Sequence, residues 1–218
     1  WSSDVCSSDL SMQTHEAVEH LIIDGASTDG SVDVIRQYAD RLSFWVSEPD
    51  GGIYSAMNKG VAHAHGEYCL FMNSGDCLHD SQVLENIAML TNNNTDIIVG
   101  KVYGSRDHKE LFAAPHNDLS LYYLYSATIA HQGAFIKLSL QQKHPYDETL
   151  KIVSDWKFFV EAIVMDNCSE QYLFLRYMLL VYLFLHHNIT MSLDLHCIRL
   201  RLLLSLLLPF YSFLHSPY

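Results

Sequence analysis

Glu19-His-Leu-Ile-Ile-Asp-Gly-Ala-Ser-Thr-Asp-Gly-Ser31 carries an apolar run straight into a loop of aspartates, glycines and hydroxyl side chains. The same pattern returns twice. Ser43-Phe-Trp-Val46 leads into Ser47-Glu-Pro-Asp-Gly-Gly52, and Tyr68-Cys-Leu-Phe-Met72 leads into Asn73-Ser-Gly-Asp76. Between these runs, Val32, Ile35 and Tyr38 fall at helical spacing, as do Ile53, Met57, Val61 and Ala64. Short β-rich runs alternating with amphipathic stretches read as βα units, hence an α/β fold with a mostly parallel central sheet flanked by helices. Ligands of such sheets bind beyond the carboxyl ends of the strands. Asp24, Asp50 and Asp76 are therefore expected along one rim, where clustered carboxylates suit a metal or a polar ligand.

The later segments extend this pattern. Asp80 or Ser81 can open a third helix with Val83, Leu84, Ile87 and Leu90 inward, and Asp96-Ile-Ile-Val99 reads as a buried strand. His131-Gln-Gly-Ala-Phe-Ile136 reads as a strand or extended run. Ser154 is placed to cap a helix whose buried face is Trp156, Phe159, Val160 and Ile163.

At 218 residues the chain is long enough for one domain with a real core. Its net charge of −12 excludes non-specific nucleic-acid binding, which needs a basic surface. A nucleotide stays compatible, because a divalent cation can mediate between carboxylates and phosphates. Five cysteines form no C-x-x-C pair, which points to a reducing, cytoplasmic compartment. No basic-then-apolar leader suggests secretion.

Both ends differ in composition from the middle. Residues 1–10 contain Ser-Ser-Asp twice with no strand or helix period, and read as a non-native leader or a disordered natural terminus. From Tyr172 to Tyr218 there is no Gly, Ala, Lys, Glu or Gln, while Leu, Phe, Tyr and His abound. Three arginines against Asp194 make this tail +2 and leave residues 1–171 at −14. A shifted reading frame explains the loss of five common residue types at once. Contact with a membrane surface is the second reading, since the few charges are basic. Tyr172–Leu185 is too short to span a bilayer, and the run after it is broken by Arg199, Arg201 and Pro209. The functional unit is therefore placed at 11–171.

Each motif has an ordinary reading beside its functional one. The Asp24–Gly30 loop offers short polar groups and glycines of the kind that let backbone approach a nucleotide base and ribose, yet the same residues build any strand–turn–helix joint. The carboxylate of Asn73-Ser-Gly-Asp76 can hold Mg2+ or Mn2+ with room for diphosphate oxygens, or can complete a turn. His131 is a ligand or diphosphate contact, or a satisfied structural residue. Asp155 is a general base, or a carboxylate favoured by the dipole of a first helical turn. His63, His65, His186 and His187 form no zinc spacing.

Taken in order, these segments resemble the family 2 glycosyltransferases of bacterial polysaccharide and lipopolysaccharide assembly. The matching text is Glu19–Ser31, Ser47-Glu-Pro-Asp-Gly-Gly-Ile-Tyr54 and Ala56-Met-Asn-Lys-Gly60. It continues through Gly66-Glu-Tyr68, Phe71-Met-Asn-Ser-Gly-Asp76, His131-Gln132 and Lys151-Ile-Val-Ser-Asp-Trp156, so that it covers roughly residues 16–165. The resemblance implies a GT-A type nucleotide-diphospho-sugar transferase fold. By the same resemblance Asp24 contacts the nucleotide base, and Asp50, Lys59 and Ser74 lie near the nucleotide-sugar pocket. Asp76 is the last carboxylate of the metal-binding motif, His131 lies close to diphosphate and acceptor, and Asp155 is the catalytic base. The implied reaction is an inverting transfer of a sugar from a nucleotide-diphosphate donor to a hydroxyl of a glycan or lipid-linked acceptor. It would use Mg2+ or Mn2+ and take place in the cytoplasm, at the inner face of the cytoplasmic membrane.

Three departures bear on that reading. The family's opening strand, with its Thr/Ser-x-Tyr-Asn loop, has no counterpart, and Ser11-Met-Gln-Thr14 stands in its place. The acidic motif has fewer carboxylates than its fullest form, and Ser55 stands where relatives commonly carry Asp. These imply an incomplete domain with weak or absent activity. They keep alive a second reading, a non-catalytic nucleotide-sugar binder. A nucleotidyltransferase would want a Gly-rich phosphate loop near the start, and there is none.

Overall fold

A computed structural model describes residues 10, 12–91, 95–104, 110–112, 121–126, 128–172 and 178–181. The expected leader, except Leu10, and the tail beyond 181 lie outside the described residues, as does the Asn92–Asn94 loop.

The opening stretch folds as its pattern predicts. Strand β1 (Leu21–Asp24) pairs in parallel with β2 (Phe44–Ser47), in a register that sets Asp24 opposite Ser47. Between them runs α1 (Ser31–Gln37), where the Asp29 carboxylate accepts the Ser31 N–H at 3.1 Å. The helix stops at Gln37, just short of Tyr38 in the expected helical spacing, and a 3-10 turn follows at Ala39–Arg41.

Helix α2 (Ile53–His63) corrects the expected stripe by one residue. Tyr54, Met57 and Val61 are buried, whereas Ile53 is 48 % exposed. Gly52, at φ 115°, turns the chain so that Tyr54 enters the core. The β3 strand (Tyr68–Cys69) is shorter than the apolar run that holds it. Then come β4 (Cys77–Leu78) and α3 (Val83–Leu90), with Val83 and Ile87 buried. Next are β5 (Ile97–Val99), β6 (Lys101–Gly104), β7 (Glu110–Phe112) and α4 (Leu121–Ser126).

His131–Gly133 is a 3-10 turn rather than strand, so the extended run expected at His131 begins as β8 (Ala134–Lys137). After α5 (Leu138–Lys143) comes α6 (Ser154–Phe159), continued by a π-helical turn through Met165. Trp156, Phe159, Val160 and Ile163 are buried as expected, and Phe158 joins them. Trp156 fills the centre of the core, and its indole N–H donates to the Leu124 carbonyl at 2.5 Å. Ser154 is not the cap. The helix opens from Val153, at φ 69°, and the Ser154 hydroxyl accepts the Asp147 N–H at 2.6 Å.

The sheet is mixed, not mostly parallel. Among the described residues it falls into three parts, ordered β1-β2, β3-β8-β5-β9 and β4-β10-β6-β7, with β9 at Glu170–Tyr172 and β10 at Met178–Val181. Strand β8 enters between β3 and β5 antiparallel to both, a position that periodicity within one segment cannot reveal. Strand β10, inside the stretch of unusual composition, pairs on both sides with β4 and β6. Between β1 and β3 lies a cavity of about 730 Å3.

The loop from Tyr146 to Leu150 locks α2 to α6. Asn58 donates to the Tyr146 carbonyl at 2.8 Å and accepts its N–H at 2.9 Å. Asp147 accepts from Lys157 at 2.8 Å and from the Thr149 hydroxyl at 2.6 Å, and these contacts hold its carboxyl down at about 2. A depressed carboxyl stabilises the fold above the unfolded-state value of about 4 and loses that contribution as pH falls through its own value. Asp147→Asn should therefore cost about 1 kcal/mol at pH 7, since solvent screens a surface pair. The deficit against the parent should shrink steadily from about pH 4 towards pH 2 in urea titrations.

Candidate active site

The loops that leave the strands supply most of the expected site residues. Asp24 closes β1, and its Oδ2 accepts the Ser27 N–H at 3.0 Å and the Ser47 hydroxyl at 2.6 Å. Burial pushes its carboxyl up, but the hydrogen bonds from Ser27 and Ser47 outweigh this and hold it below the usual range. Gly25 brings the next loop close: a Cβ there would sit 3.0 Å from Asp50 Oδ2. Asp50 accepts the Gly52 N–H at 2.8 Å and so shapes the turn that aims Tyr54.

The Tyr54 hydroxyl donates to Asp155 Oδ1 at 2.9 Å. Trp156 N–H reaches the same oxygen at 3.0 Å, and His131 Nδ1 lies 2.8 Å from Oδ2. Burial raises the Asp155 carboxyl, yet the hydrogen bond and charge of His131, with the hydrogen bond from Tyr54, bring it below the ordinary carboxylate value. Asp155 is thus ionised at neutral pH although its side chain is only 17 % exposed. The Tyr54 phenol moves the other way. Burial and then the Asp155 charge push it up, so it stays a donor.

His131 carries the contact onward. With Nδ1 toward Asp155, the ring turns Nε2 to Asn73, whose Nδ2 stands 3.4 Å away. The Asn73 N–H donates to Asp76 Oδ2 at 2.9 Å. Asp76 is 2 % exposed, and burial pushes its carboxyl up to about 6, with the Asn73 N–H and His131 pulling it back. Two contiguous strings result, Asp24–Gly25–Asp50 and Tyr54–Asp155–His131–Asn73–Asp76, joined by the Asp50–Tyr54 turn.

Asp24, Ser27, Asn73 and Ser74 all line the cavity, Ser27 and Ser74 exposed and Asp24 buried. Lys59 stands elsewhere: its Nζ pairs with Glu48 at 2.6 Å and ties α2 to the chain leaving β2. The open rim of carboxylates expected from the sequence is corrected here. Asp24 and Asp76 are both largely enclosed, and only Asp50 is exposed. Ser55 donates to Glu148 and helps hold that carboxyl down.

Asp76 is a buried carboxylate that no lysine or arginine pairs with among the described residues. A buried carboxylate without a lysine or arginine partner is one whose charge a divalent cation would relieve. Among the described residues, however, no group of three or more His, Cys, Asp or Glu side chains converges to hold a metal. The residues fit a cation held by one carboxylate and completed by ligand oxygens and water, not a cage built by protein alone.

The model of Glycosyl transferase family 2 matches residues 5–139. The chain belongs to this family. That match takes in Asp24, Asp50, Lys59, Ser74, Asp76 and His131 and ends before Asp155. A PGL/p-HBAD biosynthesis glycosyltransferase of Mycobacterium bovis is 28 % identical over 179 residues, covering 79 % of this chain and 67 % of the relative. An uncharacterised glycosyltransferase of Mycobacterium tuberculosis is 46 % identical over 59 residues, 27 % of this chain and 22 % of its own. Among solved structures, S. aureus TarS 1-349 with UDP has a TM-score of 0.66 at 19 % identity, covering 83 % of this chain and 56 % of that one. The mannosyltransferase PcManGT from Pyrobaculum calidifontis, with GDP-Man and Mn2+, has a TM-score of 0.60 at 17 % identity over 80 % and 51 % of the two chains. This family 2 chain thus has a GT-A-like α/β fold, and it spans about two thirds of the mycobacterial relative and little more than half of these solved chains.

Tyr54 is the site residue that sequence reading missed. It lies 101 positions from Asp155, so no local spacing announces the pair. Replacing Tyr54 by Phe removes a donor to ionised Asp155 and should move that carboxyl upward, read by carbon NMR titration of the Asp155 carboxyl. An unchanged titration would show that the hydroxyl does not hold the carboxylate.

Proposed function

We propose that the chain is the catalytic region of an inverting glycosyltransferase. The donor is a nucleoside-diphosphate sugar, and the acceptor is a hydroxyl on a glycan or lipid-linked glycan. The observation that supports this best is Asp155. It is a buried, ionised carboxylate fixed by Tyr54 and His131, and through Asn73 it is one loop away from Asp76 and the Ser74 wall.

In this reading Asp24, Asp50 and Ser74 line the donor's nucleotide and sugar, and Lys59 supports the pocket from its pair with Glu48. Asp155 takes the proton of the acceptor hydroxyl as that oxygen attacks the anomeric carbon. The bond from that carbon to the diphosphate oxygen breaks on the opposite face, and one displacement inverts the configuration. His131 and Tyr54 keep the carboxylate aimed, and the His131 ring faces the Asn73 loop where diphosphate would lie. A bound Mg2+ or Mn2+ at Asp76 would neutralise charge on the leaving nucleoside diphosphate.

The solved relatives support the donor class, since TarS is held with UDP-GlcNAc and PcManGT with GDP-Man and Mn2+. Among the described residues no helix is long and apolar enough to cross a membrane. In this reading a lipid-linked acceptor is met by peripheral contact at the inner face of the cytoplasmic membrane.

Release of UDP or GDP from a panel of nucleotide sugars, with and without Mn2+, tests the reading. Asp155→Asn should lower turnover by about 10²–10⁴-fold while UDP or GDP still raises the melting temperature. Full turnover in that variant would remove Asp155 as base. Asp76→Asn should abolish the Mn2+-dependent part of the nucleotide-induced thermal shift and leave the metal-independent part. The thin metal set favours a second reading, a non-catalytic nucleotide-sugar binder, in which nucleotides shift the melting temperature but no donor is turned over.

A further inference from the structure

Helix α2 presents Tyr54 and Asn58 one turn apart, and so on one face. Tyr54 holds Asp155 directly. Asn58 grips the chain that leads to Asp155. Its Nδ2 donates to the Tyr146 carbonyl at 2.8 Å and to Glu148 Oε1 at 2.9 Å. Its Oδ1 accepts the Tyr146 N–H at 2.9 Å. Only a side chain with both a donor and an acceptor can take the two backbone groups of one residue in this way.

From Tyr146 the constraint passes to the start of α6 in short steps. The Asp147 N–H donates to the Ser154 hydroxyl at 2.6 Å, and the Asp147 carboxylate accepts from Lys157 Nζ at 2.8 Å. The Lys157 N–H in turn donates to the Val153 carbonyl at 3.0 Å. Asp147 thus holds the chain on both sides of Asp155. The Tyr146 ring is buried, with its centroid 5.3 Å from that of Tyr54 and 5.9 Å from that of Phe158. A closed circuit results, from Asn58 through Tyr146, Asp147, Ser154 and Asp155 to Tyr54, and back along α2.

The local backbone needs such a circuit. Val153 lies at φ 69°, a conformation that a β-branched residue keeps only where its surroundings impose it. If the loop ahead of it were released, the chain would relax and swing Asp155 away from Tyr54 and His131. The carboxyl would stay enclosed and lose the contacts that keep it charged.

We infer that Asn58 is a positioning residue for Asp155, acting through the loop of residues 146–153 without touching substrate. Its effect on rate rests on the sugar-transfer reading. Its effect on the Asp155 carboxylate does not.

Asn58→Ala in the full chain tests this with two readouts. In carbon NMR titration the Asp155 carboxyl should move upward, because burial persists while Tyr54 and His131 no longer meet it. In nucleotide-sugar turnover kcat should fall about 10–100-fold with donor KM nearly unchanged. Asn58→Ser, whose hydroxyl is too short to take both Tyr146 groups, should shift both readouts the same way, and serves if the alanine variant does not fold. Ile98→Val thins the other core cluster, apart from Tyr146 and Trp156, and should leave both readouts unchanged. An Asp155 titration identical to the parent's in the folded Asn58 variants would overturn the inference. So would an equal shift in Ile98→Val, which would make the effect one of general stability, or an unchanged kcat in an active enzyme. If the parent turns over no nucleotide sugar, the sugar-transfer reading falls, and the titration still decides the role of Asn58.

Discussion

One buried negative charge ties three distant segments together. The Asp155 carboxylate receives the Tyr54 hydroxyl on one oxygen and the His131 ring on the other. Burial alone would neutralise such a group, since a carboxylate enclosed by aromatic side chains loses its hydration. The two donors reverse that outcome and keep it charged. The first turn of α2, the 3-10 turn ahead of β8 and the start of α6 must therefore meet at one point. The core beneath them, with Trp156, Phe158 and Phe159, makes that meeting rigid.

Backbone strain collects at the same places. Ala26 and Val153 both adopt positive φ, at 63° and 69°, and each sits two residues from a site carboxylate. A β-branched residue in that region costs on the order of 1–3 kcal/mol, which the packed surroundings must offset. Val153 is buried, so its side chain helps to hold the conformation that starts α6 at Ser154 and presents Asp155. Gly25 and Gly52 serve the same geometry by a different route, one by lacking a Cβ and the other by its φ of 115°.

The sheet arranges these loops, and among the described residues it is not continuous. Strands β1 and β2 carry Asp24 and lead to Asp50, while β3 and β8 carry the segments that reach Asn73 and His131, and the two halves face each other across the cavity. Helix α2 bridges the division, packing Gly60 against Ile23 on one half and sending Tyr54 to Asp155 on the other. Among the described residues, the relative placement of Asp24 and Asp76 thus runs through this helix rather than through an unbroken ladder of hydrogen bonds.

Local pattern was enough to place β1, β2, β5 and the buried face of α6, because burial on one side imposes a period that a short window of residues displays. It was also enough to mark Asp24, Asp50 and Asp76 as loop carboxylates following apolar runs. It misjudged the inward stripe of α2, where Gly52 rotates the helix and exposes Ile53, and the cap of α6, where Ser154 serves Asp147 instead. It could not show that β8 runs antiparallel between β3 and β5, that Lys59 is held by Glu48, or that Tyr54 meets Asp155. Each of these is a pairing between residues far apart in the chain. Sequence determines what a segment can bury and where it must turn; only the packed tertiary structure decides which turns face one another, because that choice is made by contacts no single segment contains.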